Sequence, residues 1–398
     1  MSVGTAARAI DRYRQLDSHT RNQFYAVLAT RYDPKLDDIA KALETCKANR
    51  SPENLIQLVR AAEPPQQELL RQLNRAAHGT SVIVKMREEI LRNSKTTPAL
   101  SAVDADFEHL LSSWFNPGFL ELKRLDWTTP AHLLEKVIQH EAVHEIDGWA
   151  DLRRRLEPDR RLYAYFHPVL PDEPLIFVEV ALLEDMPGAI APLLDRSRPP
   201  DIDTKHFKVA AFYSISNCQS GLRGIHLGNF LIKRVAEKLK EEFPKLKTFC
   251  TLSPIPSLVR FLTVGPQWKL GRFTPKIMSQ LESDWKELRP MMQRLSSTDE
   301  WLSNSSNERL TRLCAAYLLQ TAPDELAPSD PVAKFHLNNG AVLDKLNVGA
   351  DLTPKGIRQS FGMMVNYRYD LDKVEHHHEN FCAGIIGTSK KIRDLLRV

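Results

Sequence analysis

Residues Phe212–Arg234 read FYSISNCQSGLRGIHLGNFLIKR. An apolar strand runs into a turn carrying Gly221, Gly224 and Gly228, and a helix follows at once with Phe230, Leu231 and Val235 on one face. Glycines let a backbone approach a ligand closely, and a helix start aims unpaired N–H groups and a positive dipole end at it. The segment predicts a strand, a phosphate- or pyrophosphate-holding turn and a helix, with Arg223, Lys233 and Arg234 available for charge-assisted contacts. The glycine spacing is neither the dinucleotide GxGxxG nor the Walker GxxxxGKS. An ordinary strand-to-helix turn with incidental glycines is the competing reading.

Outward from this segment, near-continuous apolar runs predict buried strands at Leu162–Phe166, Leu175–Leu183, Phe207–Ile215, Thr248–Leu252 and Met363–Tyr369. Helical patterns are interleaved with them: one begins near Pro130, and others cover 228–243, about 274–287, 307–320 and 387–396. This alternation predicts an α/β layer architecture for residues 116–398. The stretch 195–204, with Pro199 and Pro200, reads as a surface loop, and the histidine-rich 373–380 as a polar turn. Residues 1–115 read as helix after helix. Ser18, Asp37 and Ser51 are capping candidates, and the Pro64-Pro65 pair punctuates. No polar constellation accompanies these helices, so a packing or oligomerisation module is expected.

The 398 residues are 42% hydrophobic and 26% charged, as in a water-soluble globular protein. No run approaches the roughly 18–20 apolar residues of a membrane helix. The net charge of +4 is spread among acidic residues, which argues against a dedicated nucleic-acid surface and leaves room for local basic patches that hold an anionic ligand. Five cysteines (46, 218, 250, 314 and 382) without CxxC spacing fit neither a disulfide framework nor a structural zinc site. The N-terminus lacks a secretory apolar core, Asp11 and Asp17 weaken a transit-peptide reading, and the C-terminus is not Ser-Lys-Leu. A cytoplasmic protein is expected.

His140-Glu141-Ala142-Val143-His144 matches the zincin string HExxH, with both histidines on one helical face. It lies at a helix end with Asp147-Gly148 close behind, and a zincin also needs a third ligand in a cleft. Nor can the consecutive His376, His377 and His378 all face one metal. No metal site is expected. Two other places carry more chemistry. Ser253 follows a buried strand, where open α/β sheets bind ligands, yet Pro254 behind it equally suits a helix that Ser253 would cap. His336 sits late on a short helix that Asp330 and Pro331 open and Gly340 ends. The negative dipole end there favours a protonated ring suited to proton donation; a structural histidine is the alternative.

Taken together, NPGFLELKRLDW, EAVH, GLRGIHLGNFLIKRV, LSPIPSLVRFL, DPVAKFHLNNGAVL and GADLTPKGIRQSFGMMVNYRY resemble the malonyl-CoA decarboxylase family, in the family's order across 116–398. The glycine turn is similar to the pyrophosphate loop of GNAT-type acyltransferases, though it departs from their RxxGxG/A. The resemblance implies a multidomain α and α/β protein: a helical oligomerisation domain over 1–115, then a GNAT-like catalytic domain over 116–398. It implies conversion of malonyl-CoA to acetyl-CoA and CO2, in fatty acid metabolism, by a homodimer or homotetramer. Arg223, Gly224, Ile225, His226, Leu227, Gly228 and Asn229 match the coenzyme A-binding segment. Ser253 matches the active-site serine, His336 the histidine written as proton donor, and Tyr369 a tyrosine that supports it. Some members carry glutamate at the place of His226, so this chain departs from the family's carboxylate partner for the histidine there. No cofactor is expected, because the thioester itself is the electron sink. A coenzyme A-dependent acyltransferase and a non-catalytic coenzyme A-binding protein are the rival readings.

Overall fold

The structure, a computed structural model, describes residues 2–94, 97–225, 227, 231–269, 271–294, 304–322 and 330–396. It divides into two compact units. The first comprises Met1–Glu121, Tyr165–Leu175 and Asn217–Gly228; the second comprises Leu122–Ala164, Ile176–Ser216 and Asn229–Val398.

Among the described residues the first unit is built on seven α-helices: α1 (Val3–Gln15), α2 (Ser18–Arg31), α3 (Leu36–Ala48), α4 (Pro52–Ala62), α5 (Pro65–Asn74), α6 (Gly79–Asn93) and α7 (Leu100–Trp114). Asp17, one residue before the predicted cap, accepts from the Thr20 N–H, because the acceptor must stand outside the first turn. Asp37 lies inside the first turn of α3 rather than capping it. Ser51 caps α4 as expected, with Pro52 at the first helical position. Ile10, Tyr25, Leu28, Leu70, Ile83, Val103 and Phe107 form a buried core. The pair α3–α4 differs, since neither helix buries a residue. Gly221, in a single 3-10 turn over Ser220–Leu222, lies so close to α6 that a Cβ on it would meet the Val84 carbonyl oxygen at 1.9 Å.

The second unit holds a mixed sheet. Its strands are β1 (Glu121–Leu125), β2 (Arg160–Phe166), β3 (Ile176–Leu183), β4 (Val209–Asn217), β5 (Thr248–Thr251), β6 (Ser253–Pro254), β7 (Val342–Asn347) and β8 (Met364–Tyr369), in the order β1-β2-β3-β4-β5-β8-β6 with β7 also on β8. Helices α8 (Ala131–His140), α9 (Gly148–Arg155), α10 (Ala191–Leu194), α11 (Leu231–Glu242), α12 (Leu258–Val264), α13 (Pro275–Arg294), α14 (Asn304–Leu319), α15 (Pro331–Asn338), α16 (Pro354–Ser360), α17 (Val374–Cys382) and α18 (Lys390–Leu395) connect them. All five predicted strands are present, and the mixed α/β half of the expected fold class holds. β1, β6 and β7 were not predicted: β1 buries only Leu125, β7 carries the half-buried Asp344 and Lys345 in its middle, and β6 is two residues long.

β4 and β5 run parallel, paired from Val209 opposite Thr248 to Phe212 opposite Thr251, after which β4 runs on to Asn217 beyond the end of β5. β8 runs antiparallel to β5, β6 and β7. The ends of β5, β6 and β8 thereby converge with α15 around one buried point. The predicted turn at 373–380 is instead the helix α17, in which Val374 and Phe381 supply a buried stripe and the three histidines occupy successive directions. Among the described residues no helix is long and apolar enough to cross a membrane.

Candidate active site

Three predicted residues come together. The Ser253 hydroxyl lies 3.0 Å from His336 Nε2, and His336 Nδ1 lies 2.8 Å from the Tyr369 hydroxyl. All three are buried. Ser253 is not a helix cap: it pairs with β8 in the short strand β6, opposite Val365, and the next helix begins only at Leu258. Its hydroxyl instead donates to Thr251 Oγ1 at 2.9 Å. Thr251 also accepts the Tyr367 N–H at 3.2 Å. The Tyr367 ring stacks on the His336 imidazole, centroids 4.6 Å apart.

Thr251 and Tyr367 were missed by sequence reasoning, yet the signal was there. Residues two apart on a strand share a face. Thr251 therefore accompanies Ser253, and Tyr367 accompanies Tyr369. Asn366 points the other way and ties the sheet together, donating to the Thr251 carbonyl at 2.8 Å and the Pro187 carbonyl at 3.1 Å while accepting from Asn347 at 2.7 Å.

His336 is carried by α15, whose start is as predicted. The Asp330 carboxylate accepts from the Val332 and Ala333 N–H groups at 3.0 and 3.2 Å, and Pro331 follows. Asp330 also accepts the Ser257 N–H at 3.2 Å, which links the histidine helix to the segment just after Ser253. Burial pushes the Asp330 carboxyl up to about 6, against the pull of those three N–H groups and the Tyr317 hydroxyl. Gly340, at φ +77°, ends the helical path where a side chain would be strained.

The expectation of a protonated His336 is overturned. Burial alone pushes its pKa down to about 3. The dipole of a short helix is a modest effect, worth at most about 2 kcal/mol, whereas complete desolvation of a cation costs more. The ring is neutral. Because the Ser253 proton is directed to Thr251, the serine oxygen is left to accept, so Nε2 carries the imidazole hydrogen and Nδ1 accepts from Tyr369. Burial also holds the Tyr369 phenol well above its ordinary value.

The HExxH string lacks its assumed geometry. α8 ends at His140, so Glu141–His144 are not helical and the two histidines share no helical face. Glu141 is a structural hub: it accepts from Ser214 at 2.7 and 2.8 Å, from Ser216 at 3.1 Å, and from the N–H groups of Val143 and His144. His144 is buried beside Asp351, Arg155 and Lys355, and burial dominates, lowering its pKa to about 4. Among the described residues no group of three or more His, Cys, Asp or Glu could hold a metal ion.

The predicted coenzyme A segment lies in the first unit as far as Gly228. Arg223 ends the 3-10 turn and is exposed, Gly224 has φ +84°, and Ile225 and Leu227 are buried. His226, Gly228 and Asn229 lie outside the described residues.

The molecule is thus an α plus mixed α/β protein whose sheet gathers a buried serine–histidine–tyrosine chain of hydrogen bonds. Two family models match it: the malonyl-CoA decarboxylase N-terminal domain over residues 32–115 and the C-terminal domain over 118–398. The chain belongs to the malonyl-CoA decarboxylase family. The crystal structure of malonyl-CoA decarboxylase from Rhodopseudomonas palustris is 45% identical with a TM-score of 0.86, covering 98% of this chain and 94% of that one. That from Agrobacterium vitis is 43% identical with a TM-score of 0.83, covering 100% and 95%. Mitochondrial malonyl-CoA decarboxylase of Anser anser anser is 36% identical over 326 residues, 78% of this chain but 64% of that protein. The chain therefore spans somewhat less than two thirds of that relative's length.

Proposed function

We propose that the protein decarboxylates malonyl-CoA to acetyl-CoA and CO2. The observation that carries this reading is the Ser253–His336–Tyr369 chain at 3.0 and 2.8 Å within a member of this family. Loss of CO2 breaks the bond between C2 and the carboxylate and sends its electron pair into the thioester carbonyl, leaving an enolate. Ser253, once released from Thr251, would hydrogen-bond the carboxylate or the thioester oxygen and orient the bond that breaks. His336 Nε2–H would then protonate C2. An enolate is a far stronger base than a carboxylate, so a neutral imidazole suffices as donor. Tyr369 shares its proton with Nδ1 as Nε2 gives one up, and solvent later restores the proton consumed. The reading needs no cofactor, since the thioester takes up the electron pair.

The segment Arg223–Asn229 is our candidate for the coenzyme A contact, with the positive φ of Gly224 consistent with close backbone approach. We further propose a homo-oligomer formed through the helical unit. The support is α3–α4, two helices that bury nothing and leave Leu36, Leu55, Ile56 and Val59 exposed. Action in the cytoplasm rests on the sequence features alone, and a place in fatty acid metabolism on the family resemblance.

The deciding experiment incubates EDTA-treated protein with malonyl-CoA and follows both products by mass spectrometry. Acetyl-CoA and CO2 in equal amounts without an acceptor support the reading. Binding without CO2 release refutes it, and an acceptor screen would then separate an acyltransferase from an inactive binder.

A further inference from the structure

The geometry points to Arg87, on a helix of the first unit, as the residue that holds the Gly221–Gly224 turn in its anion-accepting conformation. The inference rests on the reading of that turn as the coenzyme A contact and assigns it a positioning residue that no sequence motif marks.

Arg87 lies on α6 and is 1% exposed. Its Nε donates to Asp104 at 2.8 Å and its Nη2 to Glu108 at 3.2 Å. Its Nη1 donates to the carbonyl oxygens of Gly221 at 3.1 Å and Arg223 at 2.7 Å. A buried guanidinium is costly unless its donors are satisfied and its charge is paired. Asp104 and Glu108 supply the pairing, so the contacts to the turn are not required for neutrality. They have a different consequence. Carbonyl oxygens are the repulsive ends of peptide dipoles for a phosphate, and amide N–H groups are the attractive ends. Gathering two carbonyls of one short turn onto a cation points them into the helical unit and sets the orientation of the peptide planes around them.

Within the turn, the N–H groups of Leu222, Arg223 and Ile225 are engaged by the carbonyls of Gln219, Ser220 and Leu222. The Gly224 N–H takes part in none of these bonds, and its peptide is the one whose carbonyl side, at Arg223, Arg87 holds. The close approach needs glycine at 221: any Cβ there would collide with the Val84 backbone carbonyl and lift the turn away from α6. The helical unit therefore acts on substrate binding as well as on packing. Arg87 touches no substrate in this account and works through the turn.

The test compares malonyl-CoA with malonyl-pantetheine, which carries the same reacting group but no diphosphate. Arg87→Met should raise KM for malonyl-CoA about tenfold while leaving kcat and the KM for malonyl-pantetheine near wild type. Arg87→Lys should recover part of the loss. Should Arg87→Met fail to fold, Arg87→Lys and Asp104→Asn are read by the same KM ratio, each with a smaller rise expected. A purely structural role would move both KM values together, and that result, or no change in either, overturns the inference. Gly224→Val separates the two levels of the argument. If wild type uses the two substrates equally and Gly224→Val changes nothing, the coenzyme A reading of the turn fails, and the role of Arg87 with it. If Gly224→Val selectively impairs malonyl-CoA while the Arg87 variants do not, only the inference about Arg87 fails.

Discussion

His336 and His144 are both buried, both neutral and both in strings that invite a chemical reading, yet their surroundings differ in kind. Both ring nitrogens of His336 meet side-chain hydroxyls, Ser253 on one side and Tyr369 on the other. His144 has a buried Nε2 with no hydrogen-bond partner among the described residues, and the Glu141 beside it is occupied by two serines and two backbone N–H groups. A ring wired at both ends can pass a proton and be reset. A ring held at one end, with its neighbouring carboxylate already satisfied, is packing. The difference shows that a motif string identifies residue types, while the partner of the second nitrogen decides whether a histidine can do acid–base work.

The largest effect that would sharpen this contrast is at His336. His336→Ala should lower kcat by about 10³-fold with coenzyme A affinity near wild type, measured by steady-state kinetics and calorimetry. An unchanged kcat would remove His336 from the reaction. The opposite outcome is expected of His144→Gln: kcat near wild type, with folding stability reduced by about 1–2 kcal/mol in urea unfolding. A large kcat loss in well-folded His144→Gln would break the comparison.

Tyr369→Phe is expected to lie between them. It removes the partner of Nδ1 and should lower kcat about tenfold, with a stability loss near 1 kcal/mol. If kcat is untouched, the second ring nitrogen has no part in the proton transfer.

The smallest effects concern pH. Because His336 is neutral well above its depressed value of about 3, kcat should not fall between pH 6 and 8 as it would for an imidazolium donor. Stability has a defined sign. Both histidines have folded values, about 3 and about 4, below the ordinary value of 6.5, so the unfolded chain takes up protons first. Their contribution is complete above about pH 6.5 and is lost as pH falls toward those values. Asp330 runs against them: its raised carboxyl favours the folded state below about pH 4, an effect lost as pH rises through about 6. His336→Gln and His144→Gln should each flatten the acid limb of urea-unfolding stability; an unaltered limb in either variant would show that its ring is not held neutral by burial.

Much of the site was legible because local rules reach that far. Asp330 and Pro331 open α15 as their residue types require, and apolar runs marked β2, β3, β4, β5 and β8 to within about two residues. Illegible parts depended on partners distant in the chain. Ser253 looked like a cap because Pro254 suits a first helical turn, but pairing with Val365 claims it for the sheet. The histidines of α17 looked like a polar turn because the stripe of Val374 and Phe381 that buries the helix is sparse.

The sequence alone determined the order of helical and α/β regions and the strand–turn–helix around Gly221 and Gly224, while Ser253, His336 and Tyr369 were joined as a set only through the family resemblance. The first two follow from periodicity, caps and residue chemistry, which are properties of neighbours in the chain. Tertiary structure decided that His336 is neutral, that Thr251 and Tyr367 complete its surroundings, that Glu141 is structural, and that a helix in the first unit grips the turn at Gly221. Each of these is set by desolvation or by a hydrogen bond between residues far apart in sequence, quantities that exist only once the chain has folded.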